Sequence, residues 1–163
     1  MKKFVSIVMA MMLVLSLVAC GGNAGGSAAK EAPDLTKYYE DFMASLGEGN
    51  APMMMELDAD MTEAFYPGLN EIETKQKVMQ AAGMSAVAYE FALVEVANAD
   101  DAAKVQEIFE ARKETQVNGG AWYPETTAAW EKAEIIANGN VVALIVAGDQ
   151  QADAVEAFKA LYK

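Results

Sequence analysis

The side chains that could do chemistry in this chain are almost all carboxylates. Its 163 residues include 24 aspartates and glutamates, one cysteine and no histidine. The lack of histidine excludes histidine-based catalytic triads and histidine-ligated metal sites. The chemistry that remains is the binding of divalent cations by oxygen ligands, or acid/base catalysis by a pair of carboxylates.

The densest group of carboxylates is an acidic segment that contains Glu56, Asp58, Asp60 and Glu63. Such oxygens could bind calcium, but the segment lacks the glycine and the bidentate glutamate of an EF-hand loop. We interpret these residues as turn and helix-cap carboxylates, with Asp60 as the cap and Glu63 as its partner three residues later. We therefore predict no metal site, and divalent-metal binding by this segment is the alternative.

A carboxylate pair on one predicted strand, Glu90 and Glu95, is the candidate for hydrolytic catalysis. A chain this acidic supplies such pairs by chance, and no nucleophile elbow, phosphate-binding loop or zinc signature appears in the sequence. We predict that the protein is not an enzyme and has no catalytic residue. A carboxylate-based hydrolase is the weaker alternative.

Methionines and aromatic residues form two further groups that could bind a ligand. Thioethers can coordinate Cu(I), but methionine is also a flexible filler of hydrophobic cores, and we favour that interpretation. The methionines concerned are Met43, Met53, Met54, Met55 and Met61. Trp122, Tyr123 and Trp130 could form a platform for a sugar ring or a peptide, yet aromatic residues of this kind more often pack in the core. We predict no cofactor.

The single cysteine, Cys20, ends a segment typical of a lipoprotein signal. A cationic start precedes an uncharged run from Phe4 to Leu17, which is shorter than the roughly 20 residues that span a bilayer. The sequence Leu17-Val18-Ala19-Cys20 resembles the lipobox of bacterial lipoproteins. This resemblance implies a signal peptide over 1–19, cleavage before Cys20, and a diacylglycerol on its thiol. We expect a lipid-anchored protein on the extracytoplasmic face of the cell membrane.

The charge of the chain limits its partners. A formal net charge of −12 and a pI near 4.3 argue against nucleic acid, which is bound by clustered basic residues. They also argue against direct electrostatic attraction to anionic lipid. Apart from the membrane itself, reached through the lipid on Cys20, we predict a protein, peptide or cell-wall partner for a non-catalytic binding module.

The elements that must position these residues follow from their hydrophobic periodicity. Residues 20–33 contain the lipidated cysteine and a flexible linker rich in glycine and alanine, and 34–163 are predicted to form one domain. A helix is predicted from Asp34, its N-cap, to Leu46. The stretch from Glu71 to about Ala82 is predicted to be a second helix.

The later part of the chain predicts a β-α-α-β-β-α unit. Ala86 to Val96 alternates as a strand, with Val87, Tyr89, Phe91 and Leu93 on one face and Ala88, Glu90, Ala92 and Val94 on the other. Two helices are predicted next, one from Asp101 to about Val117 and a short one from Pro124. A hairpin over Glu134–Ala147, which turns at Asn138-Gly139, follows them, and a last helix ends the unit. We predict an α+β fold in which N-terminal helices precede this unit. Its three-stranded sheet has the order 1-3-2, so that Val141–Ala147 is central. Helices of the unit are expected on one face. The Asp34–Leu46 helix is expected on the other, with a partner chain as the alternative.

Several of these parts together resemble a known family. The matching residues are Tyr89-Glu90 with the strand that follows, the helix from Asp101 to Arg112, Tyr123-Pro124, and the hairpin Asn138-Gly139-Asn140-Val141-Val142. In this order, behind a lipobox and a spacer, they resemble the domain of unknown function 4358 family of small lipoproteins from Firmicutes-type bacteria. The resemblance implies a fold and a location and names no activity.

Overall fold

An antiparallel sheet of five strands is the centre of the α+β fold in the computed structural model, which describes residues 32–163. The strands are β1 (Met54–Glu56), β2 (Thr74–Ala82), β3 (Tyr89–Val96), β4 (Glu134–Asn138) and β5 (Val141–Ala147), and their spatial order is β1-β2-β3-β5-β4. All residues of β3 and β5 are buried, as their apolar sequences require of central strands. The predicted signal peptide, Cys20 and nearly all of the linker lie outside the described residues.

Five α-helices surround the sheet in the described part of the chain. They are α1 (Leu35–Ser45), α2 (Ala59–Phe65), α3 (Ala102–Thr115), α4 (Pro124–Glu131) and α5 (Gln151–Ala160). Short 3₁₀ turns at Leu69–Glu71, Ala99–Asp101 and Gly148–Gln150 lie between helices and strands, and a π-turn at Gln116–Gly120 joins α3 to α4. No helix within residues 32–163 is long and apolar enough to cross a membrane.

The two faces of the sheet carry separate hydrophobic cores. On one face α1 and α5 pack over β3 and β5, with Tyr38, Phe91 and Phe158 in edge-to-face contact. On the other face Tyr66, directly after α2, packs with Phe109 of α3 and Trp130 of α4. The prediction that α1 covers one face is confirmed. The expectation that all helices of the later unit share the opposite face is wrong, because α5 packs beside α1.

The predicted three-stranded sheet is also wrong, because β1 and β2 continue the sheet beyond β3. β5 lies between β3 and β4 and is antiparallel to both. The helix predicted over Glu71–Ala82 is instead the 3₁₀ turn and β2. Its lysines, glutamines and alanines favour helix in isolation, but pairing with the apolar β3 decides the outcome.

Predictions that rest on a local cap or turn signal agree better with the structure. The side chain of Asp34 accepts a hydrogen bond from the Lys37 amide at 2.9 Å, which confirms the predicted cap of α1. The hairpin from β4 to β5 is confirmed, with Asn138 opposite Val141. Asp60 is not the cap of α2. Asp58 has that role, because its Oδ1 accepts from the Met61 amide at 2.8 Å.

The first described residues are fixed to the sheet by a clamp of two side chains, Gln76 and Glu95. The Gln76 Oε1 accepts from the Leu35 amide at 3.0 Å, and its Nε2 donates to the carbonyl of Pro33 at 3.1 Å. The same Nε2 donates to Glu95 Oε2 at 2.7 Å. The described chain therefore begins at the end of β3 that carries Glu95.

Candidate functional site

A cleft lies between α2 and α3. Its volume is about 740 Å³, within the range of small-ligand pockets. Half-buried Phe65 and Ile108 and exposed Ala64 and Ala111 supply its apolar surface. We call this feature the α2–α3 cleft.

Arg112 closes the inner end of the cleft and is held by a buried carboxylate. Its Nε donates to Glu90 Oε1 at 2.9 Å and its Nη2 donates to Glu90 Oε2 at 2.8 Å. The side chains of Arg112 and Glu90 are only 11% and 5% exposed, so this is a desolvated, bidentate ion pair. The hydroxyl of Tyr66 donates a further hydrogen bond to Glu90.

Aromatic rings surround the guanidinium. Its central carbon lies 4.3 Å from the ring centroid of Phe65, 5.2 Å from that of Trp130 and 5.8 Å from that of Tyr66. At these distances a ring face attracts a cation. The rings and Glu90 together fix the position of Arg112 before any ligand arrives.

The electrostatics of this centre follow from burial and the ion pair. Burial lowers the pKa of Arg112, but the hydrogen bonds and charge of Glu90 outweigh it and hold that pKa above its ordinary value. Burial, together with the negative charge of Glu90, raises the pKa of the Tyr66 hydroxyl well above its usual value. At neutral pH the arginine is therefore charged and the tyrosine is protonated.

One edge of the Arg112 guanidinium remains available for a ligand. Both hydrogen bonds to Glu90 use Nε and Nη2, and within residues 32–163 Nη1 donates none. Nη1 is not among the fully buried side-chain atoms that lack a partner in residues 32–163, so it is in contact with solvent. Arg112 and Phe65 line both the α2–α3 cleft and a smaller cleft of about 290 Å³ that also contacts Glu90 and Trp130. Arg112 therefore contributes to the surface of both clefts.

The rim of the α2–α3 cleft is acidic. Glu71, Glu73 and Glu107 are exposed there, and within residues 32–163 no ion pair or hydrogen bond involves their carboxylates. Asp101 also lines the rim, but Lys104 Nζ lies 2.7 Å from its Oδ1 and balances its charge. The uncompensated charge of the rim is therefore negative.

In the acidic segment from Glu56 to Glu63, carboxylates have local structural roles. Asp58 caps α2, and Glu63 accepts hydrogen bonds from the Gly68 amide at 3.1 Å and from Asn70 at 3.4 Å. Asp60 lies in the first turn of α2. No group of three or more histidine, cysteine, aspartate or glutamate side chains within residues 32–163 is arranged to hold a metal ion.

The structure separates the two glutamates of the proposed catalytic pair. Glu90 and Glu95 are an odd number of positions apart on β3, so their side chains point to opposite faces of the sheet. At about 3.4 Å per residue they are roughly 17 Å apart along the strand. Glu90 is bound by Arg112, and Glu95 is bound by Gln76 in the clamp.

The methionine and aromatic groups are also divided. Met53 and Met55 are exposed at 69% and 38%, whereas Met43 and Met54 pack against the core of α1. Trp130 is in the core, as predicted. The prediction of core packing is wrong for Trp122 and Tyr123, which are 87% and 48% exposed, because both lie in the connection between the π-turn and α4.

Sequence reasoning missed Arg112 and Tyr66 as parts of the site. A signal for Arg112 is present, because it lies seven residues after Val105 and three after Phe109 on the buried stripe of α3. A charged residue on such a stripe needs a buried partner of opposite charge, and Glu90 on the inner face of a strand is a suitable one. Tyr66 follows the end of α2 and has no comparable signal.

Comparison with known proteins gives one family. A family model described as "Domain of unknown function (DUF4358)" matches residues 47–147, which include β1 to β5 and the whole α2–α3 cleft. No curated protein and no solved structure matches the chain.

Proposed function

We propose a function from the site itself, because this chain belongs to the DUF4358 family and the description of that family states no activity. The protein is a lipid-anchored, extracytoplasmic, non-catalytic binding module. Its α2–α3 cleft receives part of a protein, peptide or cell-wall partner.

The observation that supports binding is the preorganised inner end of the cleft. Arg112 is fixed by Glu90 and by aromatic rings, yet its Nη1 is left without an acceptor among the described residues. Arginine and aromatic side chains in a partly desolvated pocket are the groups that dominate binding energy at protein interfaces. Because these groups are rigid before binding, little conformational entropy is lost when a ligand docks.

A non-catalytic role is supported by the state of the buried carboxylate. A general acid or base must reach a substrate proton, but both oxygens of Glu90 accept hydrogen bonds from Arg112. The Tyr66 hydroxyl occupies a further position on the same carboxylate. We infer that this ion pair builds the binding surface.

The anchor is proposed from the sequence of the signal segment and Cys20. We expect the full chain, expressed in a bacterium that processes lipoproteins, to partition into the detergent phase after phase separation. The Cys20→Ser variant should move to the aqueous phase, since a diacylglycerol on sulfur holds firmly where a bare chain does not. A variant that stayed in the detergent phase would contradict lipidation.

Ligand binding is tested by thermal melts of the full chain in detergent micelles. The panel contains calcium, Cu(I), peptidoglycan fragments, and basic and acidic peptides. A ligand at about a hundred times its Kd stabilises by about 2.7 kcal/mol, which shifts Tm by roughly 10 °C for a domain of this size. The proposal expects such a shift from a peptidoglycan fragment or a peptide, and a shift from calcium or Cu(I) alone would contradict it.

Two matched variants test whether the ligand that shifts Tm binds in the α2–α3 cleft. Ala111→Trp fills the α2–α3 cleft from an exposed position of α3, and Ala157→Trp makes the same change at an exposed position of α5 on the other face of the sheet. We expect Ala111→Trp to abolish the shift and Ala157→Trp to retain it. A shift that both variants retain would place binding elsewhere and refute the role of the cleft.

A further inference from the structure

We propose that the occupant of the α2–α3 cleft is a basic polypeptide segment that also carries an apolar side chain. This inference rests on the proposed binding function and names the chemistry of the ligand. The cleft supplies three kinds of contact, and only such a segment uses all three.

The first contact is apolar. Phe65 from α2 and Ile108 from α3 are half-buried beside each other, and the small side chains of Ala64 and Ala111 leave room above them. Exposed aliphatic and aromatic surface of this kind is stabilised when another apolar side chain covers it. A purely polar ligand would leave this part of the cleft in contact with water.

The second contact is electrostatic. Glu71, Glu73 and Glu107 contribute negative charge that no cation within residues 32–163 balances. The two basic groups in the cleft are already committed, Lys104 to Asp101 and Arg112 to Glu90. An acidic ligand is therefore repelled, and lysine or arginine is attracted, both by the rim and by the net charge of the chain.

The third contact is a hydrogen bond from Arg112. Because Glu90 neutralises its charge, the free Nη1 suits a neutral acceptor better than an anion. A backbone carbonyl is such an acceptor, and every residue of a polypeptide provides one. A polyamine carries positive charge but offers neither a carbonyl nor an apolar side chain, so the three contacts together favour a polypeptide.

The experiment is a fluorescence-anisotropy titration of the full chain in detergent micelles with labelled, blocked heptapeptides. One probe contains lysine and leucine, a second glutamate and leucine, and a third lysine and glycine. We expect the lysine–leucine probe to bind more tightly than either of the others. Equal binding of the glutamate–leucine or lysine–glycine probe would overturn the inference.

Two matched variants test the rim. The triple variant Glu71→Gln, Glu73→Gln, Glu107→Gln removes the rim charge, and the control triple Glu40→Gln, Glu48→Gln, Glu156→Gln removes the same charge from exposed positions on other surfaces. We expect the rim variant to weaken binding of the lysine–leucine probe about tenfold, with the control within about twofold of the unaltered chain. Equal weakening by both would mean attraction by net charge alone and would overturn the inference.

The outcomes also separate this inference from the proposed function. Binding of an acidic or neutral ligand that Ala111→Trp abolishes would overturn the basic-peptide inference and leave the binding function in place. If no ligand shows binding that depends on Ala111, both proposals fail.

Discussion

Breaking the ion pair between Glu90 and Arg112 from one side should destabilise the domain severely. In the Glu90→Gln variant the shape of the side chain is retained, but the charge of Arg112 loses its counter-ion in a site that is almost closed to solvent. In Arg112→Met the carboxylate of Glu90 is left in the same position. Each change removes one partner of a desolvated pair.

The magnitude follows from the burial of the pair. Removing one partner of a buried ion pair lowers the free energy of unfolding by about 3–5 kcal/mol. A domain of this size has a total stability of roughly 5–15 kcal/mol, so either single variant should lose a large fraction of it. The corresponding fall in Tm is on the order of 10–20 °C.

Removing both charges together should restore much of this loss. The double variant Glu90→Leu, Arg112→Met replaces the pair with apolar side chains, and such replacements are often neutral or stabilising. The Tyr66 hydroxyl then lacks its acceptor, which costs about 1–3 kcal/mol, and adding Tyr66→Phe should remove that cost. A cycle built from the single variants Glu90→Leu and Arg112→Met and this double variant isolates the coupling between Glu90 and Arg112.

The assay is urea unfolding followed by the fluorescence of Trp130, which packs beside Arg112. The control is Asp41→Asn, because Asp41 and Lys37 also lie 2.8 Å apart but are 65% and 68% exposed. We expect a loss below about 0.5 kcal/mol there. Single variants of the buried pair that lose no more than this control would refute the reasoning, as would a double variant that loses the sum of both singles.

Three further predictions concern caps, buried hydroxyls and alkaline pH. Asp58→Ala should lower the free energy of unfolding by about 1 kcal/mol, because Asp58 caps α2. Asp60→Ala should change the free energy of unfolding by less than about 0.5 kcal/mol. Parallel thermal melts of the two variants decide which carboxylate caps α2. Tyr38→Phe removes a 2.8 Å hydrogen bond to the buried carbonyl of Ala154 and should lose about 1–2 kcal/mol in urea unfolding, and an unchanged midpoint would contradict that. Burial, with the charge of Glu95, raises the pKa of Tyr162 to about 12, above its ordinary value of 10.0, so the neutral phenol is favoured in the folded state. The resulting contribution of Tyr162 to the stability of the fold is complete below pH 10 and is lost as the pH rises towards 12. Across that pH range the urea midpoint should fall less steeply for Tyr162→Phe than for the unaltered chain.

The central part of the fold was predictable because its signals are local. Phe91 and Leu93 alternate with Glu90 and Ala92 along β3, and that alternation gives the two faces that the structure shows. Gly139 sits in a two-residue turn with φ of 59°, a conformation that its sequence context indicates directly. No long-range information is needed for either feature.

β2 was not predictable by the same means. Lys75 and Lys77 do alternate with Gln76 and Val78, but Val78 and Met79 are both buried because the strand is covered on both faces at its second half. That breaks the period of two, and the residue types favour helix. Only the presence of the β3 edge, which the sequence of β2 does not contain, makes the strand stable.

The candidate site was half predictable. The position of Glu90 on the inner face of β3 follows from periodicity, and Arg112 can be found on the buried stripe of α3. Their bidentate contact across 22 positions depends on how α3 crosses the sheet, which is set by the packing of Phe109 and Trp130. The acidic rim needs α2 and α3 to lie side by side, and no local pattern encodes that.

The clamp of Gln76 and Glu95 fixes at which end of β3 the described chain begins. Pro33 and Leu35 are bound beside Glu95, close to the last residue of β3. Ala121, next to exposed Trp122, lines the same small cleft as Tyr89, the first residue of β3. Eight residues of strand separate these ends by roughly 24 Å. The clamp therefore holds the first described residues at the opposite end of β3 from Ala121 and its neighbour Trp122.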